Sequence, residues 1–213
     1  MRSVSLNFAN ALKNATRDGI VPRWLISIAG KTFAESPADA VEVMRSFSTY
    51  DDHMNIDVVS TKTGLVTTRQ FLGSVNLEIG RIPRVSELRI QQVEVKMSAS
   101  APAVNDFIRS NNLKGARVEI WVQLLSPQSR VPVGMPELAW LGIIDGAPID
   151  EGDDGVMVSL TVVNEAMVML TRSNPAKSSH EEGKKRLLPD GRPDDFSIYA
   201  GSVKQWREPW GED

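Results

Sequence analysis

The sequence Lys-Gly-Ala-Arg-Val-Glu-Ile-Trp-Val-Gln-Leu, residues 114–124, alternates between apolar and polar side chains. Successive side chains of a β-strand point to opposite faces of the sheet, so this stretch predicts a strand with two unlike faces. The aliphatic face comprises Val118, Ile120, Val122 and Leu124, and the other face comprises Arg117, Glu119, Trp121 and Gln123. A Trp exposed on a polar strand face is a common interface residue. We therefore predict that Trp121 either contacts another protein or is covered by the C-terminal segment of its own chain.

The two-residue period continues on both sides of this stretch, and it gives way to helical spacing at three places. Apolar runs predict further strands at 24–28, 41–47, 53–60, 88–97, 138–144 and 156–162. The run at 138–144 is apolar on both faces, which predicts a central strand, and an extra residue at Gln91-Gln92 predicts a bulge. Helical spacing predicts short helices around 8–15, 102–110 and 165–170. The sequence thus predicts a mainly β domain with a few small helices.

Two segments depart from this pattern. Residues 61–84 carry scattered apolar side chains among Thr, Gly, Ser and Pro, which predicts a long extended arm or, alternatively, more of the sheet. Residues 172–213 are charged but balanced, and they hold four aromatic residues, which is unusual for a disordered segment. We therefore expect one β domain at 1–171, with its long loop at 61–84, and a C-terminal docking arm at 172–213.

The composition excludes several kinds of chemistry. The chain has 213 residues, no cysteine and two histidines, with 24 Lys and Arg against 27 Asp and Glu and a net charge of -3. Without cysteine there can be no disulfide, thiolate metal site or Cys nucleophile. With only two histidines in the chain, a Ser-His-Asp triad has few candidates for its histidine. The near-neutral charge balance does not favour general binding to nucleic acid.

Local candidates for a reactive site each have a simpler structural explanation. The acidic run at 145–154 lacks the spacing of a calcium loop and contains the turn signal Glu-Gly-Asp-Asp-Gly. His180 has no second His in a zinc-binding pattern, and the basic run 184–186 is offset by neighbouring glutamates. The Asp-Asp-His run at 51–53 is not accompanied by a nucleophile elbow. We therefore expect neither an enzyme nor a bound metal or cofactor.

The sequence also bears on location. Asn7, Asn10 and Lys13 interrupt the N-terminal residues, which therefore lack the apolar core of a signal peptide. No stretch approaches the roughly 20 apolar residues of a membrane-spanning helix. We expect synthesis in the cytoplasm and no insertion into a membrane.

The order of these elements resembles that of a known family. Residues 85–100 read Val-Ser-Glu-Leu-Arg-Ile-Gln-Gln-Val-Glu-Val-Lys-Met-Ser-Ala-Ser, and after a helix residues 113–122 read Leu-Lys-Gly-Ala-Arg-Val-Glu-Ile-Trp-Val. A strand ending in Leu-Gly-Ile-Ile-Asp-Gly follows at 141–146, and Trp-Arg-Glu-Pro-Trp-Gly lies near the C-terminus. This arrangement resembles the tail-hub family of long-tailed phages and gene transfer agents, part of the wider set of tail-tube-like baseplate proteins.

The resemblance implies a tail-tube-like β-barrel or sandwich whose copies form a ring at the distal end of a phage tail. Such a structural virion protein would join the tail tube to the central fibre and surround the DNA channel. A hub is expected to be a trimer, and the alternative, a distal tail protein, a hexamer. The implied partners are the distal tail protein and the fibre or tail-tip proteins, while DNA would pass without specific binding. Relatives often hold a metal or iron–sulfur centre through C-terminal cysteines, which this chain lacks.

The aromatic residues supply the candidate interface and also a rival function. The residues predicted to contact other subunits or partners are Trp121, Phe71, Leu72, Phe196, Tyr199, Trp206, Arg207 and Trp210. A carbohydrate-binding β module is the rival from another class. Its sugar groove would be lined by Trp121, Trp206 and Trp210.

Overall fold

A computed structural model of the chain describes residues 4–34, 39–83, 90–152, 155–165 and 191–192. The chain divides into two compact units, Met1–Met169 and Leu170–Asp213, and the fold described below is that of the first. From the sequence alone, we predict this boundary between residues 171 and 172. The docking arm predicted at 172–213 lies outside the described residues except for Gly191 and Arg192, and so does the predicted helix beyond Glu165.

The first unit is mainly β, as predicted, and its sheets are antiparallel. The strands are β1 (Val21–Thr32), β2 (Glu42–Ser48), β3 (Met54–Val59), β4 (Val66–Phe71), β5 (Glu78–Ile79), β6 (Gln92–Ser98), β7 (Asn111–Leu125), β8 (Glu137–Gly146), β9 (Ile149–Gly152) and β10 (Gly155–Asn164). The described residues also form two helices, α1 (Leu6–Asp18) and α2 (Pro102–Ser110).

These strands form two sheets within the described part of the chain. The larger has the order β2-β1-β7-β8-β10-β6-β5, with β9 paired to β10, and the smaller is the β3–β4 hairpin. β7 contains the alternating stretch 114–124 and pairs with β1 on one edge and β8 on the other. β8 itself lies between β7 and β10, which confirms the central position predicted for residues 138–144.

The boundaries of both helices lie at residues that the sequence indicates. α1 is followed by Gly19, whose φ of 76° is a left-handed conformation that favours glycine. Pro102 lies in the first turn of α2, where a missing backbone N–H costs no helical hydrogen bond. α2 buries Val104 and Phe107, as predicted, and leads directly into β7 at Asn111. The Asn111 amide donates to the Phe107 carbonyl at 2.8 Å, which stabilises this junction.

Residues 72–80 link the hairpin to both flanks of the main sheet. The Leu72 N–H donates to the carbonyl of Ser46 in β2, and the Leu72 carbonyl accepts from the Ser48 N–H, both at 2.9 Å. The carbonyl of Val75 then accepts from the N–H of Ser98 in β6 at 2.9 Å, and β5 pairs with β6. Hydrogen bonds therefore run from β2 through this segment to β6. Of residues 61–83, Val66–Phe71 forms a hairpin with β3 and Glu78–Ile79 adds a short strand to the main sheet, while the rest is turn or irregular chain.

The main hydrophobic core of the described residues lies on one face of the larger sheet, which we call the inner face. It includes Ile26, Ile28, Phe47, Val118 and Ile120, together with side chains from β6, β8, β10 and α2. Phe47 contacts Phe107 with ring centroids 6.0 Å apart. Since β1, β2 and β7 also bury residues on the outer face, these three strands are covered on both sides.

Glycine is required at one position of β8, and we predict that Gly142→Ala destabilises the fold. A Cβ at residue 142 would overlap the Val163 carbonyl oxygen of the neighbouring strand and approach Nε1 of Trp140 to 2.9 Å. We expect the free energy of unfolding to fall by about 1–3 kcal/mol, as is typical of overpacking. Gly146→Ala in the same strand is the matched control, because a Cβ there would meet nothing within 4 Å. Urea denaturation of both variants measures the difference, and equal losses would contradict this explanation.

Candidate functional site

The β3–β4 hairpin covers the polar face of β7. Trp121 is 0% exposed and packs edge-on against Phe71, with ring centroids 6.2 Å apart and planes at 88°. These two rings form a second apolar cluster with Leu25, Ile56 and Val58. Because Trp121 is fully buried, the prediction that it contacts another protein is corrected, whereas a cover by the C-terminal segment would involve residues outside the described part of the chain. The hairpin covers Trp121 because β3 and β4 present apolar side chains to the same face of β7.

An ion pair lies at the centre of this second layer. Nη1 of Arg69 in β4 is 2.5 Å from Oε2 of Glu119 in β7, and Glu119 is only 4% exposed. The backbone N–H of Thr61 donates to Oε1 of Glu119 at 3.0 Å, and the Thr61 hydroxyl also donates to Oε1. Nη2 of Arg117 donates to the Thr61 hydroxyl at 3.0 Å. The carboxylate thus binds both a strand and the turn of the hairpin.

The electrostatics of this cluster favour an ionised Glu119. Burial alone would raise the pKa of the carboxyl group, because a charge is costly in a poorly solvated site. Hydrogen bonds from Thr61 and Arg69, together with the charge of Arg69, outweigh that effect and lower the pKa of Glu119 below its usual value. The Arg69 guanidinium also lies 5.1 Å from the centre of the Trp121 ring, a cation–π geometry.

A second polar group attaches the other end of the hairpin to the sheet. The Tyr50 hydroxyl donates to Oε1 of Gln123 at 2.8 Å, and the Arg23 guanidinium lies 5.5 Å from the centre of the Tyr50 ring. Arg23 also donates to the Thr49 carbonyl at 3.2 Å. Burial raises the pKa of Tyr50, with a smaller opposing effect from the charge of Arg23. The polar residues of β7 are therefore structural anchors for the hairpin.

The other predicted interface residues are placed as follows. Phe71 is buried within its own chain, so its predicted role in a subunit contact is corrected, while Leu72 is half-buried and bonded to β2. The remaining five lie outside the described residues: Phe196, Tyr199, Trp206, Arg207 and Trp210. Sequence reasoning did not identify Arg69 and Thr61 as partners of Glu119. The sequence did contain one indication of a covering layer, which was Trp121. A large aromatic residue on a polar strand face favours burial under another part of the chain.

The Asp-Asp-His run at 51–53 has a structural role. Nδ1 of His53 accepts a hydrogen bond from the Gly73 N–H at 3.1 Å, and the Asp51 carbonyl accepts one from the Ser74 hydroxyl at 2.6 Å. These bonds fix the start of the segment that follows β4. Within the described residues, no three His, Cys, Asp or Glu side chains are grouped as they would be around a metal ion.

Large apolar side chains remain exposed at one end of the first unit. Phe33 and Val41 flank the connection from β1 to β2, and Val59, Leu65 and Val66 lie around the turn from β3 to β4. We call residues 59–66 the hairpin tip. Lys62 in the hairpin tip lies 3.4 Å from Glu42 at the start of β2, so both groups belong to the same end of the sheet.

A groove of about 510 Å³ lies at the opposite end of β1 and β7. We call it the α1 groove, because one wall is helix α1 and the other is the chain after β7, residues 125–133. α1 itself has no buried residue. Its start is attached by a hydrogen bond from the Ser5 N–H to Oε1 of Glu137 at 2.8 Å. The described residues therefore carry two unlike surfaces, an apolar hairpin tip and a groove, at opposite ends of the sheet.

Comparisons with known proteins do not place the chain in a family. A scan against protein-family models finds no matching family, and a search of curated proteins finds no significant match. In the part of the chain that the structure describes, neither helix has the length and apolar character needed to traverse a lipid bilayer.

We predict that Arg69→Met strongly destabilises the first unit. The substitution keeps a long side chain over Trp121 but leaves the buried Glu119 carboxylate without its cation. Breaking a buried ion pair on one side typically costs about 3–5 kcal/mol, which is the loss we expect in the free energy of unfolding. Lys96→Met is the control, because the Lys96–Glu94 pair is exposed and worth little. Similar unfolding midpoints for the two variants in urea would contradict the assignment.

We predict that the contribution of Glu119 to stability depends on pH. The folded-state pKa is depressed, so the stabilisation is present above the unfolded value near 4.5 and is lost as the pH falls through the lower folded value. At pH 7 we expect Glu119→Gln to be about 1–3 kcal/mol less stable than the unaltered chain. The difference should shrink as the pH falls below the unfolded value and disappear once the pH is below the lowered folded pKa. Denaturation curves at pH 7, 5 and 3 measure the difference, and a constant gap throughout would contradict an ionised Glu119.

Proposed function

We propose that the chain is a structural subunit of a phage tail tip, a hub protein whose copies form a ring that joins the tail tube to the central fibre apparatus. The order of elements supports the proposal. β6 ends at the first residue of the Ser-Ala-Ser sequence, α2 follows, and α2 runs directly into β7 with its Gly-Ala-Arg-Val-Glu-Ile-Trp sequence. This continuous block is the part of the chain that most resembles tail-hub proteins.

The observation that carries the proposal is the exposure of apolar side chains at two ends of the first unit. Phe33 is 66% exposed and Leu65 is 68% exposed at one end, while Leu6 and Val131 are exposed at the other. Clustered exposed apolar residues typically mark surfaces for other proteins. Burial of two separate surfaces suits a subunit that contacts more than one neighbour, as a subunit of a ring does.

The net charge is compatible with this role. A wall that repels or ignores phosphate allows DNA to pass, whereas a basic wall would hold the DNA through phosphate contacts. The chain carries a net charge of -3 and thus has no overall excess of basic side chains. In this role the protein would be assembled into the virion after synthesis in the host cytoplasm.

The distal tail protein remains the alternative within the same class, and ring symmetry separates the two. The carbohydrate-binding module loses support, because Trp121 is fully buried and unable to line a sugar groove. Of its three proposed groove residues, Trp206 and Trp210 lie outside the described residues. No contact among the described residues favours that rival function.

We predict that the purified full-length chain forms a threefold ring and is present in tail tips. Native mass spectrometry gives the copy number, and electron microscopy of the complex gives the symmetry and any central channel. A sixfold ring would favour the distal tail protein instead. If the chain is a monomer at all concentrations and also fails to bind tail-tip proteins, both the hub and the distal tail protein are overturned as its function. Binding of that monomer to a glycan array would then favour the carbohydrate-binding module.

A further inference from the structure

We propose that the hairpin tip of one copy inserts into the α1 groove of a second copy. The inference rests on the proposed function, since it names the surfaces through which copies of the chain would join. Both surfaces belong to the first unit, and their side-chain chemistry is complementary.

The hairpin tip is an ordered knob. The Ser60 N–H donates to the Leu65 carbonyl at 2.9 Å, and the Gly64 N–H donates to the Ser60 carbonyl at 2.8 Å, so the turn is closed by its own backbone. The backbone N–H of Thr61 also donates a hydrogen bond to the buried carboxylate of Glu119. Leu65 and Val66 nevertheless remain exposed. A knob that is already ordered loses little conformational entropy when it binds.

The α1 groove offers apolar and amide surface to such a knob. Leu125 and Pro127 supply apolar lining, and the amides of Asn7, Asn10 and Asn14 line the helix side. Residues three and four apart share one face of a helix, so these three amides form a row. Amide groups both donate and accept hydrogen bonds, which suits the exposed backbone of a turn. The groove therefore fits an apolar residue carried on a polar turn.

Charge is complementary as well. The residues that line the α1 groove include the carboxylate of Asp18 and no Lys or Arg, with Arg130 in the same wall but outside the lining, whereas the hairpin tip includes Lys62 and no Asp or Glu. Each charge has a partner within its own chain, Arg17 for Asp18 and Glu42 for Lys62, and both of these pairs are solvent-exposed. Exposed ion pairs contribute little stability, so exchanging partners between two copies costs little.

The hairpin tip of one molecule is too far from the α1 groove of the same molecule to enter it. The contact that we propose therefore requires a second copy. The groove includes Ile20, next to the first residue of β1, and the hairpin tip is linked to Glu42, which pairs with Lys31 near the other end of β1. At the usual rise of a strand, these ends are roughly 30 Å apart. Two unlike surfaces on one subunit define a heterologous contact, which closes into a ring or extends into a stack.

Cysteine crosslinking tests this contact directly, because the chain contains no cysteine of its own. We would prepare Leu65→Cys in the hairpin tip and Asn10→Cys in the α1 groove as separate full-length proteins. These are mixed and treated with a short bis-maleimide crosslinker. We expect the mixture to give several-fold more crosslinked dimer than either variant alone. The matched control is a mixture of Leu65→Cys with Ile90→Cys, since Ile90 is exposed but belongs to neither surface.

The outcomes separate this inference from the proposed function. Sedimentation of the unaltered chain shows whether copies associate at all, and Leu65→Asp should weaken that association while Ile90→Asp should not. If the chain associates but the Leu65 and Asn10 mixture crosslinks no better than the control, the contact is wrong and the ring proposal stands. Crosslinking of Leu65→Cys alone at the same level would indicate a tip-to-tip contact and overturn the inference. If the unaltered chain does not associate with itself, the inferred contact is wrong, and binding to tail-tip proteins then decides the proposed function.

Discussion

The buried pair of Glu119 and Arg69 is the constraint on which the second layer of the structure depends. A carboxylate on β7 that is 4% exposed requires a cation and hydrogen-bond donors, because an unpaired buried charge costs several kcal/mol. Arg69 and Thr61 supply them from the β3–β4 hairpin. The hairpin must therefore lie across β7, and its apolar side chains then bury Trp121 and Phe71. The ion pair and the apolar cluster therefore select the same face of the hairpin for burial.

The main sheet was predictable from the sequence because its signals are local. The alternation at 114–124, Pro102 in the first turn of α2 and Gly19 after α1 each act within a few residues. The second layer was not predictable in this way. A polar strand face has the same pattern whether it meets water or a buried ion pair, and Arg69 is 50 residues away from Glu119 in the chain. Only the presence of Trp121 on that face distinguished the two cases.

The region after the hairpin shows a second limit of pattern analysis. Ser74 and Asn76 have φ values of 56° and 48°, and between and after them Val75 and Leu77 point into the core. Buried and exposed side chains nevertheless alternate from Phe71 to Glu78, so the two-residue period is present although most of these residues lie outside regular strands. The segment achieves its burial through hydrogen bonds to β2 and β6, which have no local signature.

The position of the hairpin also decides where another protein could bind. If β7 were uncovered, Trp121 would offer a flat aromatic surface in the middle of the sheet. The ion pair removes that surface and leaves the exposed apolar residues at the ends, on a closed turn such as the one that carries Leu65. Contacts made by ordered knobs at the ends of a subunit are directional, since the knob and the groove are not the same patch. The contact that we propose between copies would therefore run along one axis of the sheet and not between the faces of its strands.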